Sequence, residues 1–242
     1  MIRLLFPFLL RVWATQAAGG GLCALEDDDL IYTNCNGGVV ELRLLPEQAG
    51  PTPVGALDVT GAYTATDKRD DGKPKPVGLF ARGGEVVSRE YVRFDGVLTI
   101  TEGAPMLHHR RRVMFGGQRF DLESMSNRAR FLAQAAETGA AVMQSHLLIV
   151  DGQVDTAPID GAPRFRRRIL FQMADGGFGV YDSSPRALTL NEATEEVAAR
   201  YGPEMALNLD MGSYDFCSRG EALCGALGLQ ATGKLSNLLR FR

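Results

Sequence analysis

Apolar and polar positions alternate in short runs over most of the chain, and two segments instead repeat their apolar residues at helical spacing. The first spans 124–137, where Met125, Ala129, Leu132, Ala133 and Ala136 share a face and Gly139 is placed to end the helix. The second is "TLNEATEEVAARYGP". Its Thr189 and Glu192 have the spacing of a capping box, its stripe is Leu190, Ala193, Val197 and Tyr201, and Gly202 and Pro203 terminate it.

The remaining periodic segments read as strands. "LIYTNC" and "GVVELRLL" flank Asn36, Gly37 and Gly38 and predict a hairpin, and "VGALDVTGAY" predicts a strand within 54–63. The polar, proline-ended "TATDKRDDGKPKP" (64–76) predicts an exposed loop. "VGLFARGGEVVS", "EYVRF" and "GVLTITEGAPML" continue as an antiparallel meander. "AVMQSHLLIVDGQV" turns at Asp151-Gly152, and "RRILFQM" and "FGVYDS" pair through "ADGG". "MALNLD" follows the second helix as a core strand and carries Asp210 to its exposed end. With no internal repeat and no linker, the pattern predicts an α+β fold. Mixed or antiparallel sheets of short strands pack with two principal helices in a single domain over 19–242.

Composition narrows the partners. At 242 residues the chain can bury a core unaided; 45% hydrophobic and 23% charged residues exclude wholesale disorder. A formal charge of -3 gives no general attraction to nucleic acid or to anionic membranes. Two basic clusters, "HHRRR" (108–112) and "RFRRR" (164–168), stand out against this balance, as solvated faces or as phosphate sites suited to arginine forks. A basic start, an apolar run from Leu4 to Leu10 and the small residues Thr15, Ala17 and Ala18 predict a signal peptide over 1–18, too short for a stable membrane span. The expected location is periplasmic or secreted.

The four cysteines form two local pairs, Cys23 with Cys35 and Cys217 with Cys224, spaced C-x11-C and C-x6-C. Neither spacing fits a zinc knuckle or a redox motif, so two local disulfides are expected, the alternative being four buried thiols. No metal or cofactor is expected: the chain has no P-loop, Rossmann fingerprint, H-E-x-x-H or G-x-S-x-G.

The order of several weak motifs resembles the phosphodiester glycosidase family, which includes the uncovering enzyme, N-acetylglucosamine-1-phosphodiester alpha-N-acetylglucosaminidase, and bacterial exopolysaccharide-related proteins. The resemblance covers roughly 22–216. It runs through "CALEDDDLIYTNC", "LDVTGAY", "KPVGLFARGGEV", "MQSHLLIVDG", an arginine among Arg166, Arg167 and Arg168, and "LNLDMGS". The chain departs from the family pattern at Val59, at His146 and Leu147, and at Met211.

The resemblance implies an exported hydrolase acting on a glycosyl phosphodiester or related cell-envelope or exopolysaccharide glycan. Its alternative is a degenerate, non-catalytic relative that binds an anionic saccharide or envelope polymer. Glycoside hydrolysis commonly shares acid and base work between two carboxylates. Asp210 is the first catalytic candidate and Asp58 the second, with Asp182 and Asp215 as substitutes for Asp58. One of the three arginines would clamp the phosphate, and counting back from the Asp175-Gly176 turn favours Arg167. Gln144, Ser145 and Ser213 are expected to bind sugar hydroxyls, Gly212 to form part of the wall, and Tyr63 to stack on a ring.

Overall fold

The computed structural model describes residues 30–33, 38–45, 50–66, 72–211, 214–226 and 233–242. In chain order the strands are β1 (Leu30–Thr33), β2 (Val40–Leu44), β3 (Leu57–Thr60), β4 (Thr64–Thr66), β5 (Pro74–Pro76), β6 (Leu79–Arg82), β7 (Glu85–Arg89), β8 (Gly96–Thr101), β9 (Ala104–His109), β10 (Val113–Phe115) and β11 (Gln118–Phe120). Helix α1 (Met125–Glu137) follows, then β12 (Ala141–Ser145), β13 (Leu147–Val150), β14 (Gln153–Val154), β15 (Arg168–Gln172) and β16 (Phe178–Asp182). Helix α2 (Leu190–Tyr201), β17 (Met205–Asn208), β18 (Cys217–Arg219), β19 (Ala222–Leu223) and β20 (Asn237–Phe241) complete the order.

Three sheets carry the core, in the orders β1-β16-β15-β17-β13-β14, β7-β6-β12-β8-β9 and β19-β18-β3-β20-β2. Their pairings are antiparallel, so the α+β expectation holds. The inner faces meet in one cluster, with Val59 and Leu239 from one sheet, Leu98 and Met143 from the second and Leu170 and Leu207 from the third. The helices cover outer faces: Phe131, Leu132 and Ala135 of α1 pack on Leu79, Val97 and Val142, while Ala193 and Val197 of α2 pack on Ile149, Ile169 and Ala206. Strands covered on both sides need apolar residues at successive positions, which is why β12 and β17 are buried throughout.

Both helices have the predicted extents, and α2 has its capping box, with Thr189 and Glu192 hydrogen-bonding reciprocally. Gly202 closes α2 in the left-handed conformation at φ 55°, where a Cβ would be strained. Thr189→Ala removes one cap hydrogen bond and is expected to cost about 1 kcal/mol, about 2–4 °C in a thermal melt. An unchanged melt would show that tertiary packing alone holds this end.

The structure departs from the sequence expectations in strand partnership. β1 and β2 do not form a hairpin: β1 pairs with β16 and β2 with β20, in different sheets. Residues 64–66 and 74–76 pair as a small hairpin rather than lying in a loop. Residues 90–94 form no strand. "AVMQSHLLIV" is two strands, since the chain leaves one sheet at Ser145 and enters another at Leu147. The predicted Cys217–Cys224 disulfide is present. Cys23, Cys35 and the expected signal segment lie outside the described residues.

Candidate functional site

Two strand ends build the site. β3 leaves its sheet at Gly61, and β17 leaves its sheet at Asn208; the Asp210 amide then donates to the Gly61 carbonyl at 2.9 Å, tying the two exits together. Gly61 has to be glycine for space: a Cβ there would lie 2.5 Å from Asn237 Oδ1 and 3.2 Å from Met143 Sδ. That Asn237 side chain holds the exit on both sides, accepting from the Ala62 amide at 2.7 Å and donating to the Ala62 carbonyl at 3.1 Å.

A cavity of about 380 Å³ opens at this junction, lined by Tyr63 and Thr64 from the first exit and by Asn208 to Met211 from the second. Phe165, Arg167 and Tyr214 complete its wall. Strand alternation explains the pair Asn208 and Asp210, two residues apart and therefore on one side of the chain.

Asp210 is 4% exposed. Its carboxylate accepts from the Thr64 amide at 3.0 Å and from the Met211 amide. Burial outweighs those two amides and pushes its pKa up to about 6. Among the described residues no lysine or arginine forms an ion pair with it. Asn208, also 4% exposed, donates from Nδ2 to the Tyr63 hydroxyl, while its Oδ1 is buried without a partner. Tyr63 packs against Phe94 with ring centroids 5.1 Å apart, and burial raises its pKa, so the phenol keeps its proton.

Arg167 brings the positive charge. Its Nε donates to the Leu188 carbonyl at 3.1 Å, its Nη2 to the Pro163 carbonyl at 3.0 Å, and its guanidinium lies 5.3 Å from the Phe165 ring centre. These are neutral partners. Among the described residues no carboxylate neutralises Arg167, whose pKa burial lowers.

Its neighbour does different work. Arg168 is fully buried, donates from Nε and Nη2 to Asp182 at 3.1 and 2.6 Å, and reaches Asp215 at 2.9 Å and the Phe216 carbonyl at 3.0 Å. Arg166 approaches Asp215 at 3.6 Å. The run therefore divides into a buried clamp at Arg168 and a cavity residue at Arg167.

Several candidates lie elsewhere. Asp58 does not line the cavity; its carboxylate accepts two hydrogen bonds from Arg240, at 2.7 and 2.6 Å, and one from the Thr52 hydroxyl at 2.9 Å. Asp182 and Asp215 are likewise committed, to Arg168. Gln144 is buried and accepts from the Leu79 amide while donating to the Val92 and Phe94 carbonyls. Ser145 is buried and donates to the Asn208 carbonyl at 2.6 Å. Neither lines the cavity; both position the segments around it. Gly212 and Ser213 lie outside the described residues. The other basic cluster is spent on surface ion pairs, Arg110 and Arg111 with Glu123 and Arg112 with Asp151.

Residues that the sequence reasoning did not single out also line the cavity: Asn208, Phe165 and Tyr214. Alternation back from Asp210 was the signal for Asn208; nothing local marks the other two. Among the described residues no group of three or more His, Cys, Asp or Glu side chains is placed to hold a metal ion. No helix among the described residues is long and apolar enough to cross a membrane.

No family model and no curated protein sequence matches the chain. Among solved structures, a Burkholderia pseudomallei protein described as a "Putative exported protein" superposes with a TM-score of 0.56 at 12% identity, over 85% of this chain and 71% of that one. The catalytic domain of zebrafish N-acetylglucosamine-1-phosphodiester alpha-N-acetylglucosaminidase, auto-inhibited by its pro-peptide, gives 0.49 at 13% identity over 84% and 71%. A hypothetical protein from Synechocystis gives 0.48 at 13% identity over 84% of this chain, which spans 56% of that protein. At such identities the likeness is one of fold, carried by the Burkholderia structure, and it assigns no residue a role.

Proposed function

We propose that the cavity around Asp210 is the active site of an exported hydrolase for a glycosyl phosphodiester or a related anionic envelope glycan. One observation carries the reading. A buried carboxyl with its pKa near 6 shares a 380 Å³ cavity with an arginine that no described carboxylate neutralises. A structural ion pair would have joined the two charges; here each faces a common space.

In the hydrolysis, a water oxygen attacks the anomeric carbon as the bond from that carbon to the phosphate oxygen breaks. The phosphomonoester leaves with the electron pair. Asp210, ionised above its pKa, takes the water proton as general base. Arg167 stabilises the charge gathering on the departing phosphate, which lowers the need for a second carboxylate. Tyr63 and Phe165 supply ring faces for the sugar.

A second reading, a non-catalytic binder of an anionic saccharide, draws on a different observation. Asp58, Asp182 and Asp215 are each held by an arginine, so among the described residues the cavity offers one acid where glycoside hydrolysis commonly uses two.

Purified protein assayed on an alpha-linked N-acetylglucosamine phosphodiester, a panel of bacterial glycans and their neutral counterparts separates the readings. Turnover of a phosphodiester, with kcat/KM about tenfold or more lower in Arg167→Gln, is the expected result, since a hydrogen bond to a charged group contributes about 1.5–3 kcal/mol. Saturable binding without turnover would select the binder. Activity on phosphodiesters that Arg167→Gln leaves intact would remove the phosphate role.

A further inference from the structure

Asn208 and Tyr63 meet where the two strand exits join, and both line the Asp210 cavity. The Asn208 backbone is held on both sides: its amide donates to the His146 carbonyl at 2.9 Å, and its carbonyl accepts from the Ser145 hydroxyl at 2.6 Å. Tyr63 is fixed as well. Its ring packs against Phe94 at 5.1 Å and meets the His146 ring edge-on at 6.2 Å, while its carbonyl accepts from the Val77 amide at 2.8 Å. Neither side chain has to be ordered when a ligand arrives.

The two side chains share one hydrogen bond, from Asn208 Nδ2 to the phenol oxygen. That bond leaves two valences over. Asn208 Oδ1 is buried and no donor among the described residues reaches it, although buried side-chain oxygens are almost always paired. The phenol oxygen accepts from Asn208, so its own proton is left to donate, and among the described residues no acceptor takes it. One acceptor and one donor therefore stand side by side. A hydroxyl group is their complement, because it can donate to Oδ1 and accept from the phenol at once. A phosphoryl oxygen is not, since it carries no proton for Oδ1. The charges of both Asp210 and Arg167 act on Tyr63, so the phenol sits near the acid and the cation alike.

We propose that Asn208 and Tyr63 are the specificity-determining pair of this cavity, reading one free sugar hydroxyl beside the phosphoryl group that Arg167 holds. The inference rests on the reading of the cavity as a glycosyl phosphodiester site, and it names the part of the substrate that is selected. The pair takes a glycosyl phosphate whose ring carries that hydroxyl unsubstituted. A sugar lacking it, or acylated there, is rejected, because Oδ1 then stays unpaired in a buried wall.

Calorimetric titration with inorganic phosphate, glucose 1-phosphate and its 2-, 3-, 4- and 6-deoxy analogues tests this without requiring turnover. Glucose 1-phosphate should bind more tightly than phosphate, and one deoxy analogue should lose roughly tenfold or more in affinity while the others lose little. Tyr63→Phe keeps the ring and removes the hydroxyl. It should weaken glucose 1-phosphate by a similar factor yet leave the sensitive deoxy analogue unaffected, since the two deletions remove the same contact. Equal weakening of every ligand by Tyr63→Phe would mean a loosened wall and would overturn the proposal. So would equal affinity of glucose 1-phosphate and all its deoxy analogues, which would mean that water serves the pair. In either case phosphate binding that Arg167→Gln abolishes would leave the phosphate reading of the cavity standing. Absence of binding by phosphate and by every glycosyl phosphate would remove that reading and the inference with it.

Discussion

Replacing Arg168 with methionine is expected to destabilise the protein by about 3–5 kcal/mol, the cost of leaving buried charge without its partner. Arg168 is fully buried, and its guanidinium serves Asp182, Asp215 and the Phe216 carbonyl together. Methionine fills comparable space and leaves two carboxylates facing each other across it. The melting temperature should fall by about 6–20 °C, at about 2–4 °C per kcal/mol for a chain of this size. Arg168→Lys should recover only part of the loss, because an ammonium cannot reproduce the planar fork. A shift of 1–2 °C for methionine would show that water reaches these carboxylates and that the clamp does not hold the wall of the cavity.

Asp210→Asn is expected to act in the opposite direction on stability. The carboxyl titrates near 6 in the folded protein against 3.8 for the free side chain, so between those values the folded state binds more protons than the unfolded state. Stability contributed by this group therefore falls as pH rises from about 4 to about 6. Above that window the ionised carboxylate costs about 3 kcal/mol, taking 1.36 kcal/mol per unit. Asparagine keeps an oxygen for the Thr64 amide and carries no charge. The variant should melt about 6–12 °C above the parent at pH 7–8, and the two curves should converge below about pH 4. A variant less stable at pH 7 than at pH 4, relative to the parent, would mean that Asp210 serves the fold as an anion.

Local chemistry made part of this molecule legible. Thr189, Glu192 and Gly202 define α2 by hydrogen bonds within a few residues of one another, so their spacing alone specifies the helix. The core strand at 205–208 was legible for a similar reason, because an apolar run follows the helix; its end was not, since β17 stops at Asn208 and Asp210, expected at an exposed tip, is buried at 4% exposure. Partnership was not legible. β1 and β2 read as a hairpin across Asn36 to Gly38, but what fixes each strand is burial against β16 and β20, about 150 and 200 residues away along the chain, and no local pattern reports such distant pairing. The division of 141–150 into two strands in different sheets rests on packing around His146, whose carbonyl accepts from the Asn208 amide.

The site divides in the same way. Arg167 and Arg168 are neighbours of one type, and alternation along the chain sends one to the cavity and the other to the buried clamp. Asp58 and Asp210 are both carboxylates near strand ends. What separates them is Arg240, supplied by a strand at the far end of the chain, which neutralises Asp58 and leaves Asp210 without a described cation. Gln144 and Ser145 carry the polar groups of sugar-binding residues, yet both turn inward and hold backbone.

The central claim is that Asp210 performs chemistry in its cavity, and turnover by Asp210→Asn tests it most directly. With a phosphodiester that the parent hydrolyses, the variant should remain folded, melt no lower than the parent at pH 7, and lose roughly 100-fold or more in kcat, the scale of a lost general base. The parent's kcat/KM should rise with pH through about 6 as Asp210 ionises. Parental turnover by the folded variant would contradict the account.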